Sequence, residues 1–437
     1  MRITEHLDKI SWSLADKVVL FAYGVVSLVQ INALDPAVYG LFILLLSLNN
    51  WINIITDSFS LSPIIQFGAN EQNRPKVNLI SLISHVVMSI GLGLLVLLAG
   101  PWLAEFFNEP GLRQVGLMLP FLQLLTIPRT YALKMLYRDH RMRAIFAVNL
   151  AFYAVMTILT FYLIFTQKML SFDDMLLIYF AGTVASSVFA VYPIRRNLVF
   201  STAGDITYKK ILKFSLPMTA QAVFHYVPRQ MLDVFIVQKA FSTSVVGIYG
   251  AAKTLFRVFD EGAFAAFSLL YPAAVRQFEK GDRESLQSLL TKSVSLLFFA
   301  YLFAVVVLEV GVGQWFISTF LPLRYEMAIG QFEVMILAAL ALPFVTAAFI
   351  ITASGHPEVV LKYVLISAVL SAATLGTVGY YRAETLVPLG LVVYYFSLGG
   401  LSFLYIKRHF GFPVRHIVRI VSDARSFLLS KIYGNNK

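Results

Sequence analysis

Long apolar stretches, following one another almost without interruption, constrain this chain more than any other feature. Runs such as Gly91–Ala99 and Met335–Leu342 do not alternate polar with apolar residues, and about a dozen such runs consume most of the 437 residues. A helix needs roughly 20 apolar residues to cross the hydrocarbon core of a bilayer. In lipid every backbone N–H and C=O needs an internal partner, so the runs are expected to be helices. A transmembrane β-barrel would instead show short alternating segments. Composition agrees: 58% of residues are hydrophobic, 14% are charged and the mean hydropathy is +0.74. A soluble domain of this length could not keep so much apolar surface from water.

The pattern predicts twelve spans, at about 10–31, 38–66, 78–104, 112–137, 143–166, 174–194, 211–238, 245–276, 286–312, 328–353, 358–380 and 386–407. Sorting Lys and Arg by connecting loop gives the orientation. With the N-terminus in the cytoplasm, 22 basic residues fall on the inner side, among them Arg74, Lys76, Arg138, Arg141, Arg143, Arg195 and Arg196. Only 5 fall outside: Arg113, Lys168, Lys239, Arg324 and Arg382. The net charge of +11 is therefore read as a topology signal, not as a footprint for nucleic acid. Both termini are expected on the cytoplasmic side, the chain lying in an inner membrane. The charges at Arg2, Glu5, Asp8, Lys9, Asp16 and Lys17 leave no cleavable signal pattern, so the first helix is expected to be retained.

The outer loops, around ten residues or fewer, leave no room for an enzyme domain, and no enzymatic activity is expected. Asp173 and Asp174 read as solvated loop charge. There is no cysteine, hence no disulfide framework and no thiolate metal site, and no cofactor is expected.

The two halves of the chain resemble each other at an offset near 208. Val38-Tyr39-Gly40 aligns with Val245-Val246-Gly247, Pro63 with Pro272, and Pro101-Trp102-Leu103 with Gln314-Trp315-Phe316. An even number of helices in each half makes the repeats parallel, related by an axis along the membrane normal. The expected organisation is an N-terminal six-helix lobe (1–200), a C-terminal six-helix lobe (201–410) and a basic tail (411–437), with 195–210 as the linker. The fold class expected is all-α, two parallel lobes around a central cavity. The tail alternates Val414, Ile417, Val418, Val421, Leu428 and Ile432 with Arg415, Arg419 and Arg425, the pattern of an amphipathic helix on an anionic inner leaflet.

Ionisable residues inside spans carry a functional hypothesis, because lipid penalises them. The seventh predicted helix has His225, Arg229 and Asp233 on one face, and the eighth has Lys253, Arg257 and Glu261, with Asp260 beside them. The second has Asn49, Asn53 and Asp57, with Asn50 alongside; the fourth has Gln123 and Arg129, then Lys134 and Arg138. Under the repeat, Asn49 maps to Arg257 and Asn53 to Glu261, so these stripes are expected to line a wet central cavity. Plainer roles fit the same residues. Arg229–Asp233 and Arg257–Glu261 can be internal ion pairs. Lys134 and Arg138 can snorkel to the headgroups. Asp16-Lys17 can be a cap-like pair at the surface, His225 a packing residue, and the asparagines interhelical hydrogen bonds.

Several local patterns add a resemblance. They are Leu34-Asp35-Pro36-Ala37-Val38-Tyr39-Gly40-Leu41-Phe42, its counterpart Val246-Gly247-Ile248-Tyr249-Gly250-Ala251-Ala252-Lys253, then Lys213-Phe214-Ser215-Leu216-Pro217, and the basic loop Arg138-Asp139-His140-Arg141-Met142-Arg143. With the twelve-helix plan, over about residues 10–410, the chain resembles the polysaccharide flippases of the multidrug/oligosaccharidyl-lipid/polysaccharide exporter (MOP) superfamily, especially the O-antigen (Wzx-like) type. The resemblance implies a MATE-like fold and a lobe-rocking carrier that moves undecaprenyl-diphosphate-linked oligosaccharide to the periplasmic leaflet for surface polysaccharide, including lipopolysaccharide. It implies that cavity cations hold the diphosphate, a role that Arg229, Lys253, Arg257, Arg129 and Lys17 suit. Asn49, Asn53, Asp57, His225, Asp233 and Glu261 would supply polar or coupling groups. Asp16, Asp57, Asp233, Asp260 and Glu261 bring the formal charge of this set close to even. Expected partners are the lipid-linked oligosaccharide, membrane lipids, a polysaccharide polymerase and a chain-length regulator, and no nucleic acid. The competing readings are a cation-coupled multidrug exporter on the same fold, using Asp57 and Glu261, and a membrane enzyme such as a glycan polymerase or acyltransferase.

Overall fold

A computed structural model of the protein describes residues 3–230, 232–281 and 283–411; the side chains at 3–10, 221, 225–230, 268, 269, 271–273, 278–280 and 283 are not among those described. The amphipathic pattern expected in the tail lies outside the described residues.

The described residues are mostly helical, joined by short connections and one longer segment, 195–207. The helices are α1 (Ile3–Asn32), α2 (Pro36–Thr56), α3 (Ser62–Gln66), α4 (Arg74–Phe106), α5 (Gly111–Arg138), α6 (Met142–Gln167), α7 (Phe172–Ile194) and α8 (Tyr208–Gln230). They continue as α9 (Leu232–Ala240), α10 (Thr243–Lys280), α11 (Arg283–Val307), α12 (Gly313–Phe320), α13 (Met327–Ile336), α14 (Leu342–Ala353), α15 (Pro357–Tyr380) and α16 (Leu389–Phe410). Each of the twelve predicted spans falls on one or two of these. Among the described residues, 8 helical segments are long and apolar enough to cross a membrane, or 9 if α13 and α14, bent by 44°, form one span. Helices α5, α8, α9 and α10 are not among them, so composition supports fewer crossings than the twelve expected. These are the helices that carry Arg129, Lys134, Arg229, Asp233, Lys253 and Arg257. The protein is an all-α, multi-pass membrane protein.

Helix starts follow local chemistry. Asp35 caps α2 by accepting the Ala37 N–H at 2.9 Å, with Pro36 in the first turn, where a missing N–H does no harm. Ser171 and Asp174 form a reciprocal capping box at α7. Asp174 is thus a structural cap, and Asp173 accepts from Gln114 at 2.7 Å. Between α2 and α3 the helix widens into a π-turn, Asp57–Leu61, which keeps the axis running but changes its register.

The chain divides into two compact units, Met1–Gly250 and Ala251–Lys437. In the first, α4 packs along α5, α6 along α7, α1 along α6, and α8 along α2 and the π-turn. The 195–207 segment lies on the start of α4: Lys76 donates to the Gly204 carbonyl at 2.9 Å, and Val77, Ile206 and Ile211 form a small apolar cluster. In the second, α16 packs against α14 and α15, and α11 against α14.

Many large apolar side chains face outward, and the interior, though mainly hydrophobic, also holds buried polar side chains. Leu98 is 82% exposed and Phe165 85%, while Asn49, Asn78, His85 and Gln123 are buried. Outward-facing aliphatics match lipid tails. The interior polar groups join helices: Gln30 donates to Thr160 Oγ1 at 2.7 Å, tying α1 to α6, and Gln123 donates to Asn49 Oδ1 at 2.8 Å, tying α5 to α2.

Candidate functional site: a polar pocket in the first unit

Inside the first unit, α2, the π-turn, α5, α6 and α7 enclose a pocket of about 490 Å³. Its polar wall is Asn50, Asn53, Asp57, Thr126, Arg129 and Thr130, with Phe152, Tyr179 and Thr183 opposite. Helical spacing explains the wall. Asn50, Asn53 and Asp57 follow one face of α2 into the π-turn, and Thr126, Arg129 and Thr130 follow one face of α5.

The charges in this pocket are not alike. Lys134 Nζ lies 2.8 Å from Asp57 Oδ2 and 2.9 Å from Oδ1, so this carboxylate and this ammonium neutralise each other. Arg129 has no carboxylate partner among the described residues. Its Nη2 donates to Asn149 Oδ1 at 2.8 Å, its guanidinium lies 4.6 Å from the Phe152 ring centroid, and its Nε is buried with no hydrogen-bond partner. Asn149 in turn donates to Asp16 Oδ1 at 2.8 Å. A guanidinium steered by an amide and a ring, with a donor unspent, is arranged to meet an anion.

The structure sorts the residues singled out from sequence. Asn53, Asp57 and Arg129 come together in the pocket. Asn49 sits behind it, held by Gln123 and 3.4 Å from the Tyr179 hydroxyl, in the interhelical role that its type also fits. Lys134 and Arg138 do not snorkel. Lys134 pairs with Asp57, and buried Arg138 donates to Asn78 Oδ1 at 3.0 Å and to Asp139 at 2.8 Å. Asp16 is not a surface cap but an acceptor within α1, and Lys17 next to it is exposed. Asp233 is 4% exposed and accepts the Tyr249 hydroxyl at 2.6 Å, a buried anchor between α9 and α10. In the second unit Arg257 Nε lies 3.6 Å from Glu261 Oε1, the internal pair that the i,i+4 spacing allows, and Asp260 accepts the Tyr395 hydroxyl at 2.7 Å. Lys253 is half-buried on α10. The side chains of His225 and Arg229 lie outside the described residues. Asn149, Tyr179, Thr126, Thr130 and Thr183 were not anticipated. A lone asparagine in the apolar run of α6 was the available signal for Asn149; the threonines carry none, since they are ordinary in membrane helices.

Beside the pocket, His85 Nε2 lies 2.7 Å from Thr130 Oγ1 and Ser89 lies 3.4 Å from His85 Nδ1, a buried relay from α4 to the pocket wall. Among the described residues no group of three or more His, Asp or Glu side chains could hold a metal ion.

The whole described chain has solved counterparts in fold. A multidrug resistance MATE family transporter of the MOP superfamily, in an inward-facing conformation, superimposes with a TM-score of 0.73 at 14% identity, covering 92% of this chain and 94% of that one. The lipid II flippase MurJ, in an inward closed conformation, gives 0.63 at 13% identity over 97% of this chain and 93% of that one. A MOP superfamily transporter from Pyrococcus furiosus gives 0.54 at 14% identity over 92% of each chain. No curated protein matches in sequence. Residues 33–329, well over half of the chain, match the family model described as polysaccharide biosynthesis protein, and the chain belongs to that family.

Proposed function

We propose that this protein is a flippase that carries an undecaprenyl-diphosphate-linked oligosaccharide across the bacterial inner membrane by alternating access, for surface polysaccharide assembly. Three things support the reading: the polysaccharide biosynthesis family, a fold shared with a lipid II flippase, and a polar pocket between helices of the first unit. The observation that carries it is Arg129, a cation inside the pocket that no carboxylate of the described residues neutralises. A diphosphate entering a low-dielectric region needs fixed donors in place of water, and an arginine fork supplies them. Asn50, Asn53, Thr126 and Thr130 offer amides and hydroxyls of the kind that read sugar hydroxyls. Lys253, Arg257, Arg229 and Lys17 are further candidates for the diphosphate, and Asp57, Asp233, Glu261 and His225 for coupling. Both termini lie on the cytoplasmic side in this reading, and a polymerase and chain-length regulator act downstream.

The exporter alternative would use Asp57 to bind a coupling cation or a cationic drug. Its carboxylate is already held by Lys134, which disfavours that use.

A strain lacking the gene tests the reading. Loss of surface glycan with accumulation of its lipid-linked precursor, at unchanged drug tolerance, is expected, and the wild-type gene but not one encoding Arg129→Ala restores it. Normal glycan with heightened drug sensitivity would decide for export.

A further inference from the structure

The first unit carries a second cavity, also of about 490 Å³, which shares no lining residue with the pocket around Arg129. It lies where α6 begins and α7 ends, beside the early turns of α1. Trp12, Arg141, Arg143, Ala147, Phe189 and Tyr192 are among its walls. Nothing in the transport reading uses it.

Its cations are presented unusually. The Arg143 guanidinium carbon lies 5.5 Å from the Trp12 ring centroid, and that of Arg195 lies 4.0 Å from the ring of Tyr192, which lines the cavity. A guanidinium held over a ring by cation–π attraction can still offer N–H donors to an anion. Arg141 spends one N–H on the Pro193 carbonyl at 2.6 Å. Two donor-rich cations, Arg141 and Arg143, therefore line the cavity, and a third, Arg195, stacks on a ring of its wall, with no carboxylate partner among the described residues.

The remaining walls are not those of a site for a water-soluble anion. Ala144, Ala147, Val148 and Phe189 make one side apolar, and the exposed Phe189 and Val188 continue it onto the outer surface of α7, a helix long and apolar enough to cross a membrane. Trp12 and Tyr192 are the residue types that settle at headgroup depth, with an apolar body and a polar edge. The site is amphipathic, with charge at one edge and hydrocarbon at the other.

We propose that this crevice binds an anionic glycerophospholipid of the adjoining leaflet, its phosphate held by Arg141, Arg143 and Arg195 and one acyl chain lying along Ala147, Val148 and Phe189. A polyprenyl diphosphate would offer the same phosphate chemistry. The bulk lipid is favoured because the crevice borders the apolar outer surface of α7 and is separate from the pocket that holds Arg129.

Trp12 makes the site testable without an added label. The full-length chain with Trp51→Phe, Trp102→Phe and Trp315→Phe leaves Trp12 as its one tryptophan and is reconstituted in phosphatidylcholine vesicles. Phosphatidylglycerol with brominated acyl chains, at low mole fraction, is expected to quench Trp12 at least about three-fold more than brominated phosphatidylcholine at the same fraction, since each nearby cation favours an anionic headgroup by roughly five-fold. Arg141→Gln with Arg143→Gln should abolish the preference while quenching by brominated phosphatidylcholine stays unchanged, which shows that the fold persists. If that variant does not fold, Arg195→Gln alone should at least halve the preference. Equal quenching by the two lipids in the parent protein overturns the proposal. So does relief of quenching by unlabelled undecaprenyl diphosphate at a small fraction of the phosphatidylglycerol concentration, which would assign the crevice to the carrier lipid instead.

Discussion

Gly40 and Gly247 meet backbone to backbone. A methyl group on Gly40 would stand 1.9 Å from the Thr243 carbonyl oxygen, and one on Gly247 would stand 1.9 Å from the Pro36 carbonyl oxygen. Thr243 precedes Gly247 by one helical turn, as Pro36 precedes Gly40, so α2 and α10 exchange equivalent contacts where they cross. These are also the glycines that the internal repeat aligns.

Substitution at this crossing should therefore be harmful. Alanine raises helix propensity by about 1 kcal/mol over glycine, but here the clash is with backbone that no rotamer change relieves. Gly40→Ala and Gly247→Ala should each lower stability by about 1–3 kcal/mol, and the pair should be non-additive because both open the same contact. Gly24 is the control: a methyl there meets nothing within 4 Å, so Gly24→Ala should hold or raise stability. Thermal unfolding of the purified variants in one detergent reads all four. Destabilisation by Gly24→Ala equal to that by Gly40→Ala would remove the steric argument.

The Asp57–Lys134 pair gives a second expectation. Lys134→Met leaves a carboxylate without its partner in the pocket wall, and Asp57→Asn leaves the ammonium; either should cost about 1–3 kcal/mol. The double variant should recover much of the loss, since the worst state is one charge left alone. Chemical denaturation in mixed micelles measures it, and a double variant as unstable as the sum of the two singles would contradict the pairing.

Arg129 separates charge from fork geometry. Arg129→Lys keeps the charge but loses the planar donors and should retain a minor fraction of transport. Arg129→Gln should lose transport by ten-fold or more, about 1.4 kcal/mol of barrier or above. Both should still insert, and each should lose no more than about 1–2 kcal/mol of stability, the worth of the Asn149 hydrogen bond and the Phe152 contact, while the buried Nε has no partner to lose. The comparison is of surface-glycan yield at matched protein levels; equal yields from the glutamine variant would retire Arg129.

Asp139, just beyond α5, supplies a pH signature. Burial opposes its ionisation, but the adjoining Arg138 guanidinium, through hydrogen bonds and charge, and the Asn197 amide hold its carboxyl below the usual carboxylate range. A carboxyl depressed on folding stabilises the folded state above its ordinary value, and the contribution fades as pH falls through the folded one. The stability difference between wild type and Asp139→Asn should thus be constant near neutrality and shrink below about pH 4. A difference that grows on acidification would reverse the assignment.

Much of the fold was legible because lipid imposes simple rules. Long apolar runs became helices, and Asp35-Pro36 began α2. The close approach of Gly40 and Gly247 was not legible, since it joins residues far apart in sequence. The pocket was legible only in part. Asn53, Asp57 and Arg129 stood out as polar residues in apolar surroundings, but the pairing of Asp57 with Lys134 joins two helices far apart in sequence. No local period encodes such a contact. The π-turn at Asp57–Leu61 was equally hidden, since widening a turn needs no marker residue. Lys134 and Arg138 misled because position near a helix end suggests snorkelling, whereas acceptors distant in sequence, Asp57 for Lys134 and Asn78 for Arg138, hold them inward, with neighbouring Asp139 a local partner of Arg138.

The most direct measurement is translocation by the purified protein in liposomes carrying a fluorescent undecaprenyl-diphosphate oligosaccharide, with a membrane-impermeant quencher reporting which leaflet it occupies. The account predicts movement well above that of protein-free vesicles, reduced ten-fold or more by Arg129→Gln. Folded, correctly inserted protein that moves this lipid no faster than empty vesicles would contradict it.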